Sequence, residues 1–295
     1  MMGRLSEDLR RYLGRLARHT PAFRGKGRAL RRTDDVLRRS SGCDALRERV
    51  DGVHYELRTR DVIDFNLLYE GRHDGAISDL IKSRLPAGGT LWDVGANVGA
   101  ISLPIAAASP SVRVEAFEPS PPVRARLGAN LALNPRLSSR VHVHACALSD
   151  RSGETNFYVS SETGNSGVGG LFAAGNRALT PTTVAVKRAD DLIKAGEVLA
   201  PDVVKIDVEG FELEVLQGME GTLTRAKRMD LVFEHEVYRL DERRLPRDAL
   251  ARFLSSLGFE LFAIVKGRNG CALPRPMRPS DLDRRGDIYA ALNRG

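Results

Sequence analysis

From residue 90 onward, short apolar runs alternate with longer amphipathic stretches. The runs fall at residues 90–94, 112–118, 141–147, 203–207, 231–236, 259–265 and 287–292. Runs this short read as strands, and strands separated by helical segments predict a mostly parallel sheet covered on both faces. The expected fold is α/β and doubly wound, with its ligand site at the carboxyl ends of the strands. Ahead of it, residues 50–57 read as one short strand and residues 76–84 as a helix. Between these two, residues 69–74 read either as a flap over a ligand or as an ordinary connection. Pro104 fits poorly in the helix expected after residue 99, because it lacks an N–H and kinks a helix interior.

The first residues follow a different pattern, with Leu5, Leu9, Leu13 and Leu16 near helical spacing among arginines. Residues 1–39 hold twelve Lys or Arg against Glu7, Asp8, Asp34 and Asp35, so 12 − 4 = +8, and the whole chain's +7 leaves −1 for the remainder. Residues 1–48 therefore read as a basic N-terminal arm and residues 49–295 as a nearly neutral domain. The arm has two readings: an amphipathic helix resting on anionic lipid or a partner, or a solvated extension. The neutral body argues against a nucleic-acid substrate despite the basic arm. No apolar run reaches the roughly 18 residues of a spanning helix, and the first residues show no apolar run behind their positive charge, so a secretory leader is not expected. Cys43, Cys146 and Cys271 lie far apart without a C-x-x-C pair. The expected location is a reducing cytoplasm, with peripheral contact at the inner face of the membrane if the arm binds lipid. Composition assigns no oligomeric state.

Candidate chemistry concentrates first in LWDVGANVGA, residues 91–100. An apolar strand delivers Asp93 into a turn in which Gly95 and Gly99 let the backbone bend sharply and come close to a ligand. A dinucleotide-binding turn would read G-x-G-x-x-G, whereas Asn97 stands at its second glycine. A carboxylate at the strand end would repel a diphosphate and suits a cationic ligand, such as the ammonium and sulfonium of S-adenosylmethionine. The run at residues 112–118 ends at Glu118, 118 − 93 = 25 residues after Asp93, where an acid accepts hydrogen bonds from ribose hydroxyls. A nicotinamide dehydrogenase is disfavoured by the missing glycine.

These motifs, followed in order by VHVHACALSDRSGETNFYV (residues 141–159) and PDVVKIDVEGFELEVLQG (residues 201–218), resemble the FkbM-family methyltransferases over about residues 61–265. The resemblance implies a class I methyltransferase (Rossmann-like) fold with an antiparallel final strand. It also implies S-adenosylmethionine as methyl donor and a hydroxyl acceptor on a small molecule, sugar or glycolipid. In the family pattern the end of the third strand approaches the adenine, which nominates Ser149 and Asp150, although Ser-Asp-Arg-Ser-Gly is equally good turn chemistry. His142 and His144 read as packed or solvent-facing side chains. The cofactor set is thus Asp93, Gly95, Asn97, Gly99, Glu118, Ser149 and Asp150.

The reacting groups are sought at residues 204–210, where an apolar strand ends in Asp207 and Glu209 before Gly210. Methyl transfer to oxygen needs the hydroxyl held in line and its proton accepted. Asp207 is the first candidate and Glu209 the second, with Lys205 keeping a nearby carboxylate ionised. Simple capping of the following helix is the alternative. An amino-methylating enzyme would often carry an N-P-P-Y-like tetrapeptide here, in place of Ile-Asp-Val-Glu. On the neighbouring strand His235 is a third candidate base. Alternatively Asp207, Glu209, Glu234 and Glu236 supply oxygen ligands to magnesium, which is not expected. Acceptor-binding walls are sought in the glycine-rich residues 160–182, as a lid, and in residues 266–286. A nucleic-acid methyltransferase and a non-catalytic S-adenosylmethionine-binding protein remain the competing readings.

Overall fold

The computed structural model describes residues 2–21, 23, 25–160, 179–266 and 272–294. The chain opens with helices α1 (Met2–His19) and α2 (Lys26–Ser41), then strands β1 (Ala45–Val50) and β2 (Val53–Arg58), then helices α3 (Val62–Glu70) and α4 (Gly75–Arg84). The single strand expected over residues 50–57 is in fact a hairpin, with Val50 opposite Val53. Asp51 and Gly52 form its turn at φ 46° and 81°. Two successive left-handed residues match the twist of a tight hairpin, and Asp-Gly is the sequence signal for it.

The central sheet contains β3 (Thr90–Val94), β4 (Arg113–Phe117) and β5 (Val141–His144). A small second sheet follows from β6 (Cys146–Leu148), β7 (Gly153–Ser160) and β8 (Leu179–Lys187). The chain then returns through β9 (Val203–Ile206), β10 (Arg228–His235), β11 (Glu260–Lys266), β12 (Ala272–Pro276) and β13 (Gly286–Asn293). The large sheet runs β12-β11-β13-β10-β9-β3-β4-β5. Strands β5, β4, β3, β9 and β10 pair in parallel, whereas β13 is antiparallel to both β10 and β11. This is the expected class I methyltransferase architecture, a doubly wound sheet with an antiparallel final strand. Winding reverses at β3, whose neighbours are β4 and β9, which opens a crevice at the strand ends.

The run expected as one strand over residues 141–147 breaks at Ala145. β4 ends at Phe117, opposite His144, so the large sheet offers no further partner there. The chain crosses instead to the small sheet, where Cys146–Leu148 pairs in parallel with β8. Pro104 is also accommodated. The helix after the glycine turn starts only at Ser102, so Pro104 lies in its first turn, where its missing N–H is not needed.

Alternation along each strand divides the core between the two faces. On β3, Leu91 joins the cluster that includes Val53, Tyr55 and Leu68, whereas Trp92 and Val94 join a second cluster with Phe233 and Leu254. The hairpin is fixed on its face by two asparagines. Asn130 Oδ1 accepts from Glu56 N–H at 2.9 Å while its Nδ2 donates to the Val98 carbonyl at 3.0 Å, and Asn134 Oδ1 accepts from His54 N–H at 2.9 Å.

The basic N-terminal segment packs against this body rather than extending into solvent. Arg10 is fully buried, with Nε donating to Asp34 at 3.0 Å, Nη2 to Thr59 at 2.6 Å and Nη1 to the Cys43 carbonyl at 3.2 Å. The Tyr69 hydroxyl donates to the same carboxylate at 2.7 Å. Gly14 lets α1 approach α3, because a Cβ there would lie 2.9 Å from the Leu68 side chain and carbonyl. Among the described residues no helix is long and apolar enough to cross a membrane.

Candidate active site

The carboxyl ends of β3, β4, β9 and β10 open onto a cavity of about 1090 Å³. Small-molecule clefts typically enclose roughly 300–1,000 Å³, so this one can hold a donor and an acceptor together. Its wall includes Gly95, Asn97, Glu118, Asp207 and Glu209 from the sequence-derived set.

The glycine turn is shaped by the neighbouring strand end. Gly95 N–H and Ala96 N–H both donate to the Phe117 carbonyl at 3.0 Å. Gly95 has φ 81°, and a Cβ there would sit 2.0 Å from the Asp207 carbonyl oxygen, so only glycine allows β3 and the end of β9 to come this close. Asn97 is left-handed at φ 50°, a conformation asparagine tolerates, and its N–H donates to Glu118 Oε2 at 3.0 Å. Ser120 N–H donates to the other oxygen of Glu118 at 2.8 Å. Burial pushes the Glu118 carboxyl up to about 7, against the pull of these two N–H donors. Each of its oxygens keeps a lone pair for a ligand hydroxyl.

Asp93 lies behind this surface and not on it. It is fully buried and accepts from Ser102 Oγ at 2.6 Å. Lys205 Nζ lies 3.3 Å from Asp93 and 3.3 Å from Asp207, and donates to the Gly95 carbonyl at 3.0 Å. Burial works against the Lys205 charge, but Asp207 and Asp93 more than offset it and hold the ammonium above its ordinary range. Lys205 thereby links the carboxylate beneath the turn to the half-exposed carboxylate in the cavity.

A second group of charges faces this triad. Burial, followed by the charges of Asp207, Glu236 and Glu234, pushes Glu209 up to about 8 against the attraction of Arg239. Burial and the neighbouring carboxylates thus favour the protonated form of Glu209, which can donate a hydrogen bond. It is held at φ 57°, with Arg239 Nη2 at 3.5 Å from its Oε2. Arg285 Nη2 reaches Glu234 at 2.6 Å and Glu236 at 2.9 Å. Burial and Asp207 raise Glu234 to about 7 against Arg285. Among the described residues no group of three or more His, Cys, Asp or Glu side chains is placed to hold a metal ion; Arg239 lies 3.5 Å from Glu209 and 3.6 Å from Glu236.

The remaining sequence candidates lie off the cavity wall. His235 alternates with Glu234 at the end of β10, so it turns to the opposite side, where Nε2 lies 3.1 Å from the Leu282 carbonyl. Gly99 is a packing residue, because a Cβ there would lie 2.6 Å from Leu127. Ser149 and Asp150 follow β6 into the small sheet, and Cys146, Ala147 and Leu148 border the cavity in their place. Burial pushes the Cys146 thiol up to about 11, which keeps it protonated. His142 and His144 lie 3.6 and 2.7 Å from Glu115; His142 is exposed and His144 partly buried. Of residues 69–74, His73 and Asp74 reach the cavity, and of the described residues within 266–286, which omit 267–271, Arg285 does. The expected lid lies mostly outside the described residues, which omit 161–178. Arg239 and Arg285 were not anticipated: a lone arginine in a helix or loop carries no periodic or motif signal.

Residues 93–261, more than half of the chain, match the model of the methyltransferase FkbM domain. The chain belongs to the FkbM methyltransferase family. Within 133 residues this FkbM-family chain is 38% identical to hexuronic acid methyltransferase AglP of Haloferax volcanii, covering 45% of the chain and 51% of AglP. It is 33% identical over 162 residues to the 31-O-demethyl-FK506 methyltransferase FkbM of Streptomyces tacrolimicus, covering 46% and 61% of the two. It is 27% identical over 198 residues to the 2-O-methyltransferase NoeI of Sinorhizobium fredii, covering 63% and 78%. The chain thus spans about half the length of AglP and less than two thirds of FkbM.

Proposed function

We propose that this chain is an S-adenosylmethionine-dependent methyltransferase that methylates a hydroxyl oxygen on a small molecule, sugar or glycolipid. The observation that carries this reading is the meeting of Glu118, the Gly95–Asn97 turn and the Lys205–Asp207 pair around one cavity at the switch point of the sheet. Family membership supports the reaction class, and the relatives named as 2-O- and 31-O-methylating enzymes support oxygen as the acceptor. AglP, named for a hexuronic acid, supports a sugar-like acceptor.

The residues present fit such a nucleoside donor. Glu118 would accept from ribose hydroxyls, the backbone of Gly95 to Asn97 would line the amino-acid portion, and Cys146 to Leu148 would border the adenine. When bound, the donor supplies an electrophilic methyl group on a sulfonium. Asp207, oriented by Lys205, would accept the acceptor hydroxyl's proton as the oxygen takes up the methyl group and the methyl–sulfur bond breaks, the sulfur leaving as a neutral thioether. Glu209 in its protonated form donates a hydrogen bond to the acceptor, and Arg239 and Arg285 hold the surrounding carboxylates in place. Asp93 acts from beneath, through Lys205 and the turn, without touching either ligand.

Calorimetry with S-adenosylmethionine, followed by mass spectrometry of a hydroxylated acceptor panel, tests the proposal. Saturable binding and the gain of one methyl group on oxygen are expected. Absence of donor binding by the folded chain, or methylation at nitrogen only, overturns it.

A further inference from the structure

Helix α1 has two apolar sides, and the body of the protein uses only one. Arg10, Gly14 and Ala17 turn inward and are buried, with Leu13 packed beside them. On the opposite side Leu5, Leu9, Tyr12 and Leu16 recur at spacings of four, three and four, which places them in one stripe along the helix. They are 71%, 42%, 61% and 48% exposed, and Phe23 just beyond the helix is 63% exposed. Isolated exposed apolar side chains are ordinary, but a contiguous stripe marks a binding surface.

The charge around the stripe selects its occupant. Residues 1–39 carry 12 − 4 = +8. All four acids are already paired within the segment: Glu7 and Asp8 with Arg11, Asp34 with Arg10 and Asp35 with Arg38. Arg28, Arg32 and Arg39 are exposed on α2, and Arg15 on α1 is exposed while pairing with Glu48 at 3.0 Å. A second copy brought to this surface would present the same positive charge and be repelled. An anionic lipid surface satisfies both components, taking the apolar side chains into the interface and the arginines among the headgroups.

We propose that the outer side of α1 is a peripheral docking surface for anionic membranes, seated by Leu5, Leu9, Tyr12, Leu16 and Phe23 and held by the arginines of α1 and α2. The helix stays folded against the body while it docks, because Arg10 anchors it from within. Docking requires no turnover and is independent of the methyl-transfer reading.

Co-sedimentation of the full chain with vesicles tests this. Binding is expected to vesicles of equal phosphatidylcholine and phosphatidylglycerol but not to phosphatidylcholine alone, and it should weaken at high salt. The variant L9S/L16S should bind at least about tenfold more weakly, since apolar burial scales with each methylene removed. Its circular dichroism should be unchanged, because both leucines are exposed. The variant R28Q/R32Q, which leaves the stripe intact, should also weaken binding. Three results would overturn the proposal: no association with the anionic vesicles at low salt; equal binding by L9S/L16S; or light scattering that shows a dimer of the parent chain dissolved by L9S/L16S, which would assign the stripe to a second copy.

Discussion

Lys205 is the residue on which the electrostatics of the cavity turn, because two carboxylates and a backbone carbonyl share its ammonium. Replacing it by methionine leaves Asp93 buried beside Ser102 alone, and breaking a buried pair in this way costs about 3–5 kcal/mol. Urea unfolding of Lys205→Met should register that loss, and stability equal to the parent's would mean that the pair contributes nothing. Asp207→Asn is milder for the fold because its side chain is half exposed; turnover should drop about 10²–10⁴-fold, with donor affinity by calorimetry nearly unchanged. Glu209 makes a pH-dependent prediction. Its carboxyl is raised from 4.5 to about 8, so the folded chain keeps this proton where the unfolded chain has lost it. The resulting stability is fully present below about 4.5 and is lost as pH rises through about 8. Melting curves should therefore show a smaller fall from mildly acid to alkaline pH for Glu209→Gln than for the parent, by roughly 2–4 °C for each kcal/mol recovered. Parallel pH profiles would refute the assignment. At this scale the sequence made Glu118 and Asp207 legible, because each ends an apolar strand beside a turn. It could not show that Asp93 faces inward or that His235 points away from Glu234, since one residue of register decides each.

Among the elements, the glycine turn and the end of β9 constrain each other most tightly. Gly95→Ala would place a methyl group 2.0 Å from the Asp207 carbonyl at a φ of 81°, so the two segments would have to separate. A lower melting temperature is expected together with a turnover loss at least as large as that of Asp207→Asn; unchanged values for both would mean that the turn is looser than described. Strands β3, β4, β9, β10, β11 and β13 were legible from their apolar runs, whereas β7, β8 and β12 were not. The hairpin is announced only by its Asp51-Gly52 turn, because the apolar alternation runs on through the turn as if one strand continued. The break at Ala145 carries no such signal, because it depends on where β4 ends on the other side of the ladder. Helix α1 illustrates the same limit: its leucines predict one amphipathic face, yet Leu13 turns to the core and the others do not.

For the molecule as a whole, the alternation of strands and helices announced a mostly parallel sheet with its ligand site at the carboxyl ends of the strands, where the cavity opens, whereas the order of the strands and the reversal at β3 emerge only in the folded sheet. The N-terminal helices were less legible, because a net +8 over residues 1–39 conceals one fully buried arginine. Arg10→Ala should cost about 3–5 kcal/mol by stranding Asp34 between Thr59 and Tyr69. Denaturant midpoints would measure this, and a neutral substitution would show that the arm is only loosely attached. The antiparallel β13 has a practical corollary. All eight of its residues pair with β10, yet it lies beyond residue 261, where the match to the family model ends. Trimming a clone to residues 93–261 would strip that partner from β10 and uncover the sheet face shielded by Val53, Tyr55 and Leu68. The raw ladder left behind would recruit other chains, so the stretch shared most clearly with relatives is a unit of inheritance and not a unit that folds.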